Sequence, residues 1–295
     1  MKKLLVLLVA ALFAVTGVAA TGCNQGEKEI LVVMRENGSG TREAFEKVVK
    51  KDGVTLDDIT NEETEEYSFV LNRQELPKTS NVITSVESSE NAIGYVSLAS
   101  VGDTVKKIKV EGVEATTENV QNETYKIQRP FLMLTRSDNV ITPAAQDFLN
   151  FCMSQTAMTD TILTSGLIQD PDRTPGTYTP ATGLGTTTIK VVGSTSMTEV
   201  MEKLVAAYKE VQPNVTVSQE YPGSGGGRTG VQNDTTGNTI GLASSSSPND
   251  AYVENTLCLD AVAVIVNPAN DIDNITIEQL FDIYTGSIKK FSEIK

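Results

Sequence analysis

The chain has 295 residues, 24 of them basic and 38 acidic, and a net charge of −14 that becomes more negative once Lys2 and Lys3 are removed. Such acidity repels polyanions at long range, which excludes nucleic acid as a partner and makes anionic lipid faces poor ones. The lack of any histidine removes His-type zinc sites, Ser-His-Asp triads and Cys-His pairs in one step, and with them most hydrolase readings.

Residues 1–22 read as a secretory signal: two lysines, an apolar run from Leu4 to Val15, then small residues up to Gly22. Gly22 followed by Cys23 resembles the bacterial lipoprotein signal, which implies a lipidated Cys23 and a short tether over 23–29; a plain cleaved signal is the alternative. No later run is long and apolar enough to span a bilayer. Roughly 270 mature residues suffice for two lobes with separate cores.

Ile30–Met34 is an apolar run of buried-strand type, and beyond Gly40 the apolar residues Ala44, Phe45, Val48 and Val49 fall at helical spacing. A strand, a glycine turn and a helix are expected there. The acidic run 61–66 reads as a solvated loop. Ala92–Val96, Lys107–Val110 and Pro130–Thr135 read as strands, and 144–153 as a helix with Ala145, Phe148, Leu149 and Cys152 on one face. Residues 169–188 hold Pro171, Pro175 and Pro180 among many Thr and Gly and read as a connector.

The second half repeats the first unit's logic. Ile189–Val192 is a strand, Gly193–Ser196 a turn, and Met197, Val200, Met201, Leu204, Val205 and Tyr208 the stripe of a helix whose start a Ser196/Glu199 capping box would fix. Strands at 215–217, 239–242 and 261–266 and a helix from Thr276 to Tyr284 complete the pattern. Alternating strands and helices imply α/β architecture with largely parallel sheets. Cys152 and Cys258 could pair in an oxidising compartment, but without motif spacing two buried apolar thiols are the favoured reading.

Four Gly/Ser/Thr-rich turns leave these strands: 35–42, 193–196, 223–227 and 243–247. Glycine admits close backbone approach, hydroxyls are rotatable donors, and helix starts present free N–H groups, so converging turns describe an oxyanion site at the carboxyl ends of strands. They match neither a Walker loop, nor the dinucleotide fingerprint, nor a nucleophile elbow. Arg35 stands four residues before Ser39, so a tight turn would bring its guanidinium and the Ser39–Thr41 amides onto one oxyanion. Pairing of Arg35 with Glu36 or Glu43 is the structural alternative. Arg42 and Arg228 read equally well as exposed helix-end charges.

The stretches VVMRENGSGTREAF (32–45), AIGYVSL (92–98), VIVNP (264–268) and LFDIYTGSIKKFSE (280–293) resemble the phosphate-binding subunit of the bacterial phosphate ABC transporter. The resemblance implies a two-lobed type II periplasmic-binding-protein fold with two crossing strands, circularly permuted because the family's opening turn stands here at 193 and its middle turn at 35. It implies one lobe split between 28–130 and 267–295 and one continuous over 131–266, in one permuted chain, by exchange of halves between two copies, or in a piece cut from a tandem gene. It further implies an extracytoplasmic, non-enzymatic phosphate receptor tethered through Cys23 and serving the permease, with no cofactor and no metal. The implied phosphate ligands are Arg35, Ser39, Gly40, Thr41, Thr195, Ser196 and Ser224. Ser244 or Ser245 stands where the family often has an aspartate. A receptor for sulfate or molybdate, a phosphate-ester enzyme and a sensing or adhesion module remain alternatives.

Overall fold

A computed structural model describes residues 28–294; the proposed signal, Cys23 and the tether up to residue 27 lie outside the described residues. In chain order the main elements are β1 (Leu31–Arg35), α1 (Gly40–Val48), β2 (Arg73–Leu76), α2 (Thr79–Glu87), β3 (Ala92–Ser97), β4 (Gln128–Arg136) and α3 (Pro143–Cys152), followed by β5 (Thr187–Gly193), α4 (Thr198–Val211), β6 (Val215–Glu220), α5 (Ser224–Asn233), β7 (Thr239–Ala243), β8 (Tyr252–Val266) and α6 (Ile277–Thr285). β2 and α2 escape the sequence pattern because β2 is a polar strand at the sheet's end, Arg-Gln-Glu-Leu.

Hydrogen bonds link the strands in the order β6-β5-β7-β4-β8-β3-β1-β2. Pairing is parallel at both ends, where β1 meets β2 and β3, and β5 meets β6 and β7. It is antiparallel in the middle, where β4 and β8 run against each other from Gln128↔Ala261 to Arg136↔Tyr252, and β8 continues along β3 from Val262↔Ser97 to Val266↔Ile93. β1 shows why its run is apolar throughout. Val32 and Met34 face one core and Val33 the opposite one, so both faces of the pleat are covered.

Two main cores result. One collects Ile30, Met34, Phe45, Tyr95, Tyr125, Val264, Phe281 and their neighbours; the other collects Phe131, Phe148, Leu204, Tyr208, Ile240 and Leu257. The chain passes between them at the start of β4 and in the middle of β8. Val262–Val266, expected in the continuous lobe, instead pair with β3, and all of them but Ile265 pack in the first core, because a strand long enough to cross serves both halves of the sheet.

The 169–188 stretch is no free tether. Gln155 N–H donates to Gly176 O at 2.7 Å, the Arg173 guanidinium caps the carbonyls of Met153 and Leu257, and the buried Asp147 carboxylate accepts from Tyr178 Oη and Ala181 N–H. Side-chain hydrogen bonds thus order a segment that has little apolar area to bury. Cys152 and Cys258 are both free and buried in the second core, where desolvation pushes each thiol upward. The strand expected over 107–110 is split: Lys106–Lys107 pair with the end of β8, Lys109–Val110 with Asn274–Ile275. No helix among the described residues is long and apolar enough to cross a membrane.

Candidate functional site: a buried hydroxyl cluster between the lobes

Each half delivers its turn by the same local device. β1 ends at Arg35, Gly38 takes a left-handed φ of 80°, and Ser39 in extended conformation caps α1 by accepting from Arg42 N–H. β5 ends at Gly193, Ser194 caps a short 3₁₀ turn over Thr195–Met197, and α4 follows. Gly223, at φ 102°, starts α5 at Ser224. The expected Ser196/Glu199 capping box does not form. Ser194 caps the turn instead, Ser196 Oγ faces the cleft, and Glu199 pairs with Lys203.

These turns meet within one chain. Thr41 Oγ1 lies 2.8 Å from Ser196 Oγ, Ser194 Oγ donates to Ser244 Oγ at 2.9 Å, and Ser244 N–H donates to Ser224 Oγ at 3.1 Å. Thr41, Ser194, Ser196, Ser224 and Ser244 are all buried. A backbone bond from Gly225 N–H to Gly38 O, at 3.2 Å, ties the second lobe's turn directly to the first's. Gly40 is required by close approach: a Cβ there would overlap Ser224 Oγ and stand 2.6 Å from Ser244 Oγ. The starts of α1 and α5 and the 3₁₀ turn that leads into α4 converge on this place, adding positive dipole ends to the hydroxyls.

Arg35 is 1% exposed and makes no ion pair among the described residues. Its guanidinium donates only to neutral atoms: Leu76 O at 3.2 Å, Pro77 O at 2.9 Å, Thr79 Oγ1 at 3.3 Å and, across the cleft, Thr195 Oγ1 at 3.0 Å. Burial pushes it down to about 10, so it remains a cation at neutral pH while lacking a counter-charge. Tyr95, stacked on Phe45 at 4.0 Å, accepts the Arg35 backbone N–H and steadies the end of β1. The alternative pairing of Arg35 with Glu36 or Glu43 is absent.

Other expectations change. Arg42 is buried rather than exposed, bonded to Glu46 at 2.7 Å, Glu75 at 3.3 Å and Thr60 at 3.2 Å. Ser245 is not in the hydroxyl cluster. Its Oγ donates to Glu43 and accepts from Arg228, and Arg228 grips Glu43 through two contacts of 3.0 and 3.2 Å, so α5 and α1 are bridged at the cleft's edge. Beside Thr195 and Ser196 a cleft of about 480 Å³ opens past Lys78, Ser100 and Tyr221.

Sequence reasoning missed Arg129 and Asp260. They are paired across β4 and β8, both nearly inaccessible, and the Arg129 Nη1 group donates to Thr41 Oγ1 at 2.7 Å and Ser244 Oγ at 3.2 Å. The available signal was Asp260 itself, an acid at the head of the apolar run Ala261–Val266, which a buried strand admits only with a cation opposite.

A model of the PBP superfamily domain matches residues 17–156 and 177–293. Over 305 aligned residues the chain is 32% identical to "Phosphate-binding protein PstS 2" of Streptococcus pneumoniae serotype 4, covering 100% of this chain and 99% of the relative. It is 29% identical over the same length to "Phosphate-binding protein PstS 2" of Streptococcus agalactiae serotype V, with the same coverage. The crystal structure of a phosphate-binding protein of a phosphate ABC transporter from Streptococcus pneumoniae superposes with a TM-score of 0.68 at 31% identity, covering 90% of this chain and 100% of that one. With its two lobes, crossing strands and convergent turns, the chain belongs to the phosphate-binding proteins of the PBP superfamily.

Proposed function

We propose that the chain is an extracytoplasmic receptor, not an enzyme, which captures inorganic phosphate and delivers it to an ABC transporter, docking on the permease and held at the membrane by a lipid on Cys23. The observation that carries this reading is the Arg35 guanidinium, buried without a carboxylate next to a cluster of hydroxyls and helix starts. A buried cation calls for an anion, and a forked donor suits a tetrahedral one. The ligand set is Arg35, Ser39, Gly40, Thr41, Thr195, Ser196, Ser224 and Ser244, with Ser245 assigned to the edge contact instead. Ile30 N–H donates to Lys289 O at 2.7 Å, so β1 starts beside the segment that follows α6, as a rotated order of halves within one folded chain requires.

Calorimetric titration with phosphate, sulfate and molybdate tests the reading. One phosphate per chain is expected to bind most tightly; tighter sulfate binding, or none by phosphate, overturns it. Turnover of phosphate esters with added divalent metals would contradict the receptor role.

Gly40→Ala is expected to lower phosphate affinity at least tenfold, about 1.4 kcal/mol, because the added methyl enters the space where Ser224 and Ser244 approach α1. A circular dichroism melt should show the fold intact. Arg228→Ala removes the bridge between α5 and α1, a partly shielded ion pair worth about 1 kcal/mol. With α5 no longer tied to α1 across the cleft, phosphate should leave about fivefold faster in stopped-flow release, and the difference should shrink at high salt.

A further inference from the structure

Arg129 is held from several sides but has one donor face left over for the site. Its Nε and Nη2 both donate to Asp260 Oδ2, at 3.0 and 2.8 Å, and its guanidinium lies 5.2 Å from the Phe131 ring centre. Nη1 takes no part in that ion pair. It reaches instead to Thr41 from the first lobe and Ser244 from the second. Both hydroxyls can turn, since each is donor and acceptor, and so either can exchange Nη1 for an oxyanion. The guanidinium itself cannot turn, because Asp260 pins it in a fork and β4 and β8 are the strands along which the chain crosses between the lobes.

A buried ion pair adds little stability beyond what apolar residues of similar size would give, so the presence of an arginine and an aspartate here has no strong folding rationale. Charge gives a second argument. The groups around the cluster are hydroxyls and two guanidiniums, and the carboxylate of Asp260 offsets only one of them.

Resting on the phosphate reading above, we propose that Arg129 is a second cationic contact for the bound oxyanion and that Asp260 is the residue that positions it. Arg35 then approaches the ligand from the β1 turn and Arg129 from the crossing strands, so that two fixed forks address different oxygens of one tetrahedron.

The test uses the full mature chain and inorganic phosphate. Arg129→Gln is expected to weaken phosphate binding at least thirtyfold by calorimetry, with Arg129→Lys recovering part of the loss because a charge is restored. Asp260→Asn adds one net positive charge at the site and on charge alone would tighten binding; a loss of at least fivefold is expected, because the fork is released. Wild-type affinity in a folded Arg129→Gln chain overturns the proposal while leaving the phosphate reading in place, whereas a wild-type chain that ignores phosphate overturns both. Tighter binding by Asp260→Asn overturns the positioning role. Should Arg129→Gln fail to fold, a crystal structure of the wild-type chain with phosphate decides: Nη1 within hydrogen-bond reach of a ligand oxygen supports the contact, and Nη1 remaining on Thr41 and Ser244 alone overturns it.

Discussion

Arg35→Ala is expected to reduce phosphate affinity by at least about 2 kcal/mol, some thirtyfold, the usual cost of losing a charged hydrogen-bond partner in a dry site. Arg35→Lys should recover little of it. An ammonium cannot span Leu76 O, Pro77 O, Thr79 and Thr195 at once, so the point charge would sit in the pocket without the fork that the surroundings hold in place. Stability without ligand should change far less than affinity. The carbonyls of Leu76 and Pro77 lose a donor, but a buried cation with no counter-charge also leaves, and the two effects oppose each other. The corresponding measurement is the thermal midpoint with and without phosphate. Wild type should rise with ligand and Arg35→Ala should not, whereas an undiminished calorimetric affinity would remove Arg35 from the site.

Gly193→Ala is expected to have the largest effect on the fold itself. Gly193 ends β5 at φ 150°, paired beside Leu242 of β7, and a Cβ there would overlap the Leu242 carbonyl oxygen and stand 2.7 Å from its nitrogen. Both obstacles are backbone, which no rotamer change can move aside. Overpacking and backbone strain together should cost about 3 kcal/mol or more, read from urea unfolding. Because Gly193 O accepts the Gly223 N–H and Ser194 follows directly, any chain that still folds should also lose phosphate binding. Gly102→Ala is the matched control: a methyl there meets nothing within 4 Å, and stability should stay within about 0.5 kcal/mol of wild type.

Both predictions act at turns, and it was the turns that were legible beforehand. Ile30–Met34 with Gly38-Ser39-Gly40, and Ile189–Val192 with Gly193–Ser196, specify strand, turn and helix through neighbours in sequence: apolar residues on both faces of a pleat, a glycine where φ turns positive, and a hydroxyl at a helix start. Those are local constraints, and they place Arg35, Thr41, Thr195 and Ser224 at strand ends without knowledge of the remaining chain.

What each side chain does there was decided only by contacts between distant segments. Arg35 finds Thr195 across 160 residues, Arg129 finds Asp260 across 131, and Arg228 with Ser245 is drawn to Glu43 across the cleft. Ser196 gives up a capping role because Ser194 is better placed for it once the 3₁₀ turn forms, and Arg42 becomes buried because Glu46, Glu75 and Thr60 surround it. The sequence by itself determined the succession of strands, glycine turns and helices, since backbone conformation is governed over a few residues. The tertiary structure alone decided which polar groups share the pocket, since a hydrogen bond or ion pair depends on ångström-scale proximity that only the crossing of β4 and β8 and the docking of the two lobes create.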